Sequence, residues 1–469
     1  MEKRTIITPL EEFIFKKMAD THLPGLSMAL IKDQEVIYKR GFGYRDVARG
    51  LPATPGTLYG IGSVTKSFTA LAIIQLQELG LLNIEDSIED YLPLSIRPFG
   101  EVIRIKHLLS HTSGIPALAY AEAVIRYEQE STRNWLPIGD YEDMLTFMRG
   151  AEEWVHTRPG ERWFYLNEGY ILLGAIIEKV AGESYIDYVN KHILQPLNMR
   201  RSFFNKEEVE ADPEAAVPYL INPEGRHIPG RYLYGRIVSD GGLISNVEDM
   251  ARYVIMYLND RRSSDDPVVN AESLQAMMTQ YIPLPYETVP DPKSQAVPTP
   301  VGYYGFGVHI YPDFFGRRLI GHGGSVLVAT AYMGFIPEEK MGIVVLANGS
   351  GYPLNHLSLY ALALMLGEDT EKLPFLRSEE IFNRLTGIYE TYRGTMRAKV
   401  VIKGDILNIE FQERHGERII PLIPLLLEEE NPRFFTLSGG RRLVVEFLKV
   451  NEGPELIYER YKFRRIGSL

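Results

Sequence analysis

The chain reads as an α+β protein: an antiparallel sheet drawn from both ends of a long N-terminal segment, a helical cluster between them, and an all-β C-terminal domain. Three observations predict this. Strand-like runs occur near the start, at residues 26–31 and 35–39, and return only after Gly305. Between them, apolar residues recur at helical spacing. Beyond about residue 380 the pattern changes to seven or eight short strand-like runs separated by turn residues.

Taken in order, Lys32-Asp33-Gln34 joins the first two strands. The apolar-periodic run 67–76 predicts a helix, opened by Ser63-Val64-Thr65-Lys66, which is the chain's single S-x-x-K. A second helix is predicted over 169–180. It follows a Pro159-Gly160 turn and stops at Ala181-Gly182. The Pro-rich stretch 282–300 reads as a long loop, open between a functional role and a plain surface excursion. Strands follow at 317–320, 329–335 and 341–348, then a helix over 355–366 that would pack on the sheet. The composition then becomes charged. The expected organisation is a catalytic domain over 1–370, a linker over 371–380, and an antiparallel β-barrel over 381–469. The barrel runs are 386–390, 396–403, 406–410, 418–423, 434–437, 443–450 and 456–463, with Lys403-Gly404-Asp405 and Ser438-Gly439-Gly440 as turns.

Composition restricts function. Hydrophobic content of 45% and charged content of 24% are ordinary for a folded chain. A net charge of −11 argues against a nucleic-acid partner, because phosphate binding needs clustered basic residues. No apolar run is long enough to span a bilayer, so no membrane partner is expected. Residues 1–12 lack the apolar core and small-residue cleavage site of a signal peptide, which predicts a cytoplasmic location. There is no cysteine, so disulfides and thiolate metal sites are excluded, and no metal or cofactor is expected.

The candidate chemistry lies in three motifs. In S-x-x-K, Lys66 lies one helical turn from Ser63 on the same face. A serine hydroxyl is a poor nucleophile until a base takes its proton, and a lysine amine serves only where its surroundings favour the neutral form. A helix N-terminus adds free N–H groups that can hold an oxyanion. The second motif is Tyr165-Leu166-Asn167. Two other Y-x-N sequences, at Tyr188 and Tyr257, fall inside helical runs, where a tyrosine reads as a packing residue. Tyr165 instead follows a turn and precedes a helix, a place from which a side chain can be aimed into a cleft. The third motif is Gly321-His322-Gly323-Gly324-Ser325, where glycines mark a close approach of backbone or ligand. His322 taken alone reads as a turn residue.

S-x-x-K, Y-x-N and H-x-G in this order resemble the penicillin-recognising serine hydrolases, which include class C β-lactamases, D,D-carboxypeptidases, D-aminopeptidases and related esterases. Residues 79–93, the H-T-S-G stretch of residues 105–116, and Ser239-Asp240-Gly241-Gly242-Leu243-Ile244-Ser245 resemble the same family, so the resemblance covers about Leu10 to Leu366. It implies a β-lactamase/transpeptidase-like fold with the active site between sheet and helical cluster. It also implies acyl transfer, with Ser63 as nucleophile, Lys66 as base and Tyr165 relaying a proton to the leaving group. Asn167, His322, Gly324 and Ser325 would contact substrate, with the Ser63 and Ser325 amides as oxyanion hole and His322 tuning Tyr165 or touching substrate. Some members carry a C-terminal lipocalin-like barrel, whose role is open between ligand binding, homo-oligomer formation and shaping the entrance.

One departure matters. His322 stands where many members carry a lysine, a permanent cation that can anchor a substrate carboxylate. A histidine with a pKa near 6.5 is mostly neutral at pH 7. The expected substrates are therefore small peptides or aminoacyl amides, with a D-residue preference compatible with the family and weak or absent β-lactam hydrolysis. Esterase activity is the alternative. A catalytically dead binding module is disfavoured by the intact Ser63, Lys66 and Tyr165.

Overall fold

The computed structural model describes residues 3–129, 136–235, 238–259, 268–286, 301–404, 406–413, 416–451 and 453–469. Backbone contacts divide the chain into two units, one running to Glu368 and the other containing Asp369–Leu469.

The first unit is built on an antiparallel sheet with nine strands among the described residues. Gly25–Lys32 lies between Glu35–Asp46 and Met341–Ala347, with Leu30 opposite Ile343. Thr330–Ile336, Arg317–Ser325, His309–Phe314, Tyr303–Tyr304 and Ile282–Pro283 follow outward, and Leu51–Pro52 closes the other edge. The sheet thus joins both ends of the segment, as expected. Asp33 and Gln34, at φ 50° and 73°, make the tight turn between the first two strands. Pro283 sits on an edge strand, where the missing N–H breaks no ladder. That strand takes up the start of the stretch expected to be a loop, whereas residues 287–300 lie outside the described residues.

The helix Thr65–Glu78 is buried on every face from Thr65 to Leu76. It is the central helix of the unit, so its sequence is apolar around the whole circumference and not along one stripe. Phe68 stacks on Tyr253 with ring centroids 3.8 Å apart, and Tyr257 stacks on Phe335 at 4.8 Å, tying the helices to the sheet. Tyr188 and Tyr257 belong to this core, so both are packing residues. The helix Asn167–Ala181 begins two residues earlier than expected and ends at Gly182 in the left-handed conformation.

The second unit is a closed barrel of eight antiparallel strands in sequence order, from Gly387–Glu390 to Tyr461–Gly467. Leu407, Ile409, Leu422, Phe434, Val445, Phe447, Leu456 and Phe463 fill its core. The run 456–463 is two strands, turned at Glu459 with φ 53°. Most of the stretch read as a linker is helix, Pro374–Leu385. Its Ile381, Phe382 and Leu385 join the barrel core, an amphipathic contribution masked in sequence by its charged face. Among the described residues no helix is long and apolar enough to cross a membrane.

Candidate active site

Ser63 lies on a single 3-10 turn, Gly62–Val64, that runs directly into the helix Thr65–Glu78. Gly62 has φ 50°, and a Cβ there would lie 2.8 Å from the Ser325 amide nitrogen. A Cβ on Gly324 would collide with the Ile61 carbonyl oxygen and lie 3.0 Å from the Ser63 amide nitrogen. Two glycines therefore allow the turn and the strand Arg317–Ser325 to touch, which brings the Ser63 and Ser325 amides close together.

Lys66 is fully buried. Its Nζ lies 3.1 Å from Ser63 Oγ and donates to Asn167 Oδ1 at 2.8 Å and to the Asp240 carbonyl at 2.7 Å. Asn167 is the first residue of its helix, so helix packing sets the reach of its side chain toward Lys66. Tyr165 sits on the extended chain just before it, with the centre of its ring 4.9 Å from Lys66 Nζ.

The H-x-G motif is part of a strand, not a turn. His322 is buried, and both its ring nitrogens are engaged. Nδ1 lies 2.6 Å from the Gly323 carbonyl, which can only accept, so the ring hydrogen is there. Nε2 accepts from the Tyr304 hydroxyl at 3.0 Å. Burial first, then His309 and Lys66, hold the ring well below its ordinary pKa, so it is neutral. The hydrogen bond thus goes to Tyr304 and not to Tyr165, whose ring centroid is 6.3 Å away.

Ser63, Tyr165, Asn167, His322, Gly324 and Ser325 line one cleft of about 1340 Å³, together with Tyr120, Arg126, Lys206, Arg231 and Tyr232. That volume exceeds the usual range for a compact small-molecule site and leaves room for a peptide.

The site also contains groups the motifs do not contain. Asp240 and Glu168 are buried carboxyls, and burial raises the pKa of both. Tyr120 links them, its hydroxyl donating to Asp240 Oδ2 at 2.9 Å and its N–H to Glu168 Oε1 at 3.1 Å. Tyr304 has no signal beyond its flanking glycines. His107 and His111 have the four-residue spacing of a paired metal site, but each Nδ1 accepts a backbone N–H, from Arg104 and Leu166 respectively. Among the described residues no cluster of three or more metal-ligating side chains forms.

Comparison with known proteins decides the family. The beta-lactamase family model matches residues 10–365. The chain belongs to the beta-lactamase family. This is a family of serine hydrolases, and the S-x-x-K, Y-x-N and H-x-G motifs all fall within the matched segment. Residues 370–464 match the model of the Pab87 octamerisation domain. A solved octameric penicillin-binding protein homologue from Pyrococcus abyssi is 46% identical, with a TM-score of 0.91 over 98% of this chain and all of that one. Protein flp of Staphylococcus aureus is 28% identical over 339 residues, which are 70% of this chain and 60% of flp. The chain thus spans less than two thirds of that relative. Penicillin-binding protein 4* of Bacillus subtilis is 31% identical over 191 residues, 40% of each chain. The penicillin-binding protein of Bacillus halodurans, 24% identical with a TM-score of 0.58 over 76% of this chain and 98% of that one, shares the fold.

Proposed function

We propose that this beta-lactamase family member cleaves amide bonds of small peptides or aminoacyl amides through a serine acyl-enzyme. The observation that supports this best is the set of partners around Lys66 Nζ. Two of them, Asn167 Oδ1 and the Asp240 carbonyl, can only accept. The third, Ser63 Oγ, lies 3.1 Å from Nζ, within reach for its proton to pass to the amine once the amine is neutral.

Ser63 Oγ attacks the substrate carbonyl carbon while its proton passes to Lys66. The oxyanion is held by the Ser63 and Ser325 amides, each such donor contributing about 3 kcal/mol to the transition state. Tyr165 donates a proton to the leaving amine as the C–N bond breaks, and is replenished from Lys66. Water then attacks the acyl-serine by the reverse proton path. With Oδ1 committed to Lys66, Asn167 has its Nδ2 to offer the substrate. Neutral His322 supplies no fixed cation for a substrate carboxylate, which favours substrates without one there.

The test is a panel of aminoacyl p-nitroanilides of both configurations, p-nitrophenyl esters and a chromogenic cephalosporin. Amide turnover supports the reading, and turnover of esters alone would replace it with a carboxylesterase. By analogy with the octameric homologue and its matching C-terminal domain, we also propose homo-oligomer formation through the barrel. Light scattering should give a mass eight times the 53.4 kDa chain, and a monomer would refute it.

A further inference from the structure

The H-T-S-G stretch is not used by the proposed chemistry, yet its backbone holds the loop that carries Tyr165. The Gly114 carbonyl accepts from His156 N at 2.9 Å, and the Thr112 carbonyl from Gly160 N at 2.7 Å. His111 takes the last two positions. Its carbonyl accepts from Phe164 N at 2.8 Å, and its Nδ1 accepts from Leu166 N at 3.0 Å. One residue therefore grips the chain on both sides of Tyr165. Its ring also packs at a tilt against the Tyr165 ring, with centroids 4.2 Å apart, and lies 5.0 and 4.8 Å from the rings of Tyr170 and Tyr304.

Two features mark the arrangement as held at some expense. His111 has φ 57°, a left-handed conformation unusual for a non-glycine residue. Its Nε2, which carries the ring hydrogen because Nδ1 accepts, finds no partner among the described residues although the side chain is buried.

We propose that His111 is the positioning residue for Tyr165, fixing the phenol for proton transfer by clamping the amides on either side of it. This rests on the reading of Tyr165 as the proton donor to the leaving group. The clamp requires an acceptor at Nδ1, hence a neutral ring. Burial, the largest cause, disfavours the imidazolium and keeps that acceptor available.

A misplaced proton donor matters most when the leaving group is basic. The probes are therefore p-nitrophenyl, phenyl and trifluoroethyl acetate, whose leaving oxygens rise in basicity and need a proton increasingly as the C–O bond breaks. In His111→Leu, kcat should fall within about threefold on the first ester and about a hundredfold on the last, the range of general acid catalysis, with KM little changed. His111→Asn should restore the wild-type profile, because Asn offers an acceptor near the Nδ1 position and tolerates positive φ. Should the leucine protein not fold, His111→Gln takes its place: it is polar, but its carbonyl lies one atom too far, so it should show the steep profile.

Tyr165→Phe should show the same steep profile, and the double variant His111→Leu/Tyr165→Phe should lose no more than Tyr165→Phe alone. A steep profile in Tyr165→Phe with a flat one in His111→Leu, or additive losses in the double variant, would overturn the positioning role alone. A flat profile in Tyr165→Phe would overturn the reading of Tyr165 and the proposal with it.

Discussion

A buried ammonium must place three hydrogens and a buried amine only two. Around Lys66 two carbonyl oxygens and one hydroxyl are available, and in the proposed reaction the hydroxyl is the one that gives up its proton. Arginine cannot give up a proton near neutrality and its planar fork does not fit three converging acceptors. Lys66→Arg is therefore expected to lower kcat at least about a thousandfold, the upper part of the range for removing a general base. A variant within tenfold of wild type would mean that the lysine acts only by charge. Ser63→Ala should abolish turnover with an unchanged melting temperature, and retention of a tenth of wild-type kcat would refute it as nucleophile. Tyr188→Phe and Tyr257→Phe, both in the core, should leave kcat within about twofold. The histidines give a further check by nitrogen-15 NMR. His111 and His322 are both held neutral, with the hydrogen on Nε2 in the first and on Nδ1 in the second. For each, the lowered folded pKa means that the unfolded chain takes up a proton first as pH falls, so stability declines below about pH 6.5. Between pH 7.5 and 5.5 in the folded protein, neither ring should titrate. Protonation of either in the range where an unperturbed histidine titrates would contradict the geometry.

Where the Gly62–Val64 turn meets the strand Arg317–Ser325, the geometry depends on what is missing from two residues. Gly324→Ala sets a methyl group against the Ile61 carbonyl, which is backbone and cannot rotate away. The turn and strand must separate, and the Ser63 and Ser325 amides with them. The expected loss in kcat is about a hundredfold or more, that of removing one oxyanion donor. A Gly324→Ala protein with wild-type kcat would show that the two amides do not act together. This contact also illustrates what could be read in advance. The motif glycines signalled a close approach, but not of which backbone. His322 read as a turn residue because three glycines surround it, whereas pairing with Thr330–Ile336 carries the strand straight through. The helix Asn167–Ala181 was legible from its apolar period and Gly182. Its true start at Asn167 was not, since no side chain caps it. Residues 374–380 looked like part of a linker because only one face of the helix Pro374–Leu385 is apolar. Tyr304 carries no local pattern, and although Asp240 and His111 lie in stretches that resemble the family, what each touches is set by partners far away in sequence, as with Tyr304 and His322.

The substrate choice proposed above rests on the cleft as a whole. Its floor has a neutral, fully engaged histidine where a fixed cation would hold a carboxylate, and its volume suits an extended ligand. The kcat/KM for a chromogenic cephalosporin should therefore be well below that for an aminoacyl p-nitroanilide. The reverse order would return this cleft to β-lactam chemistry. The sheet beneath it has a different consequence, for the order of events during synthesis. Gly25–Lys32 leaves the ribosome long before Met341–Ala347, and its seven leading residues are buried in the finished molecule. One of its two neighbours, Met341–Ala347, emerges only after the whole helical cluster. Until then the nascent chain exposes an apolar strand with one open edge, the kind of surface on which chaperones and other unfinished chains act. The intervening helices, from Thr65–Glu78 to Val247–Leu258, are contiguous in sequence and need no such wait. Pulse-labelling hydrogen exchange during refolding should find their amides protected before those of Leu26–Ile31, and chains stopped short of residue 341 should aggregate where full-length ones do not.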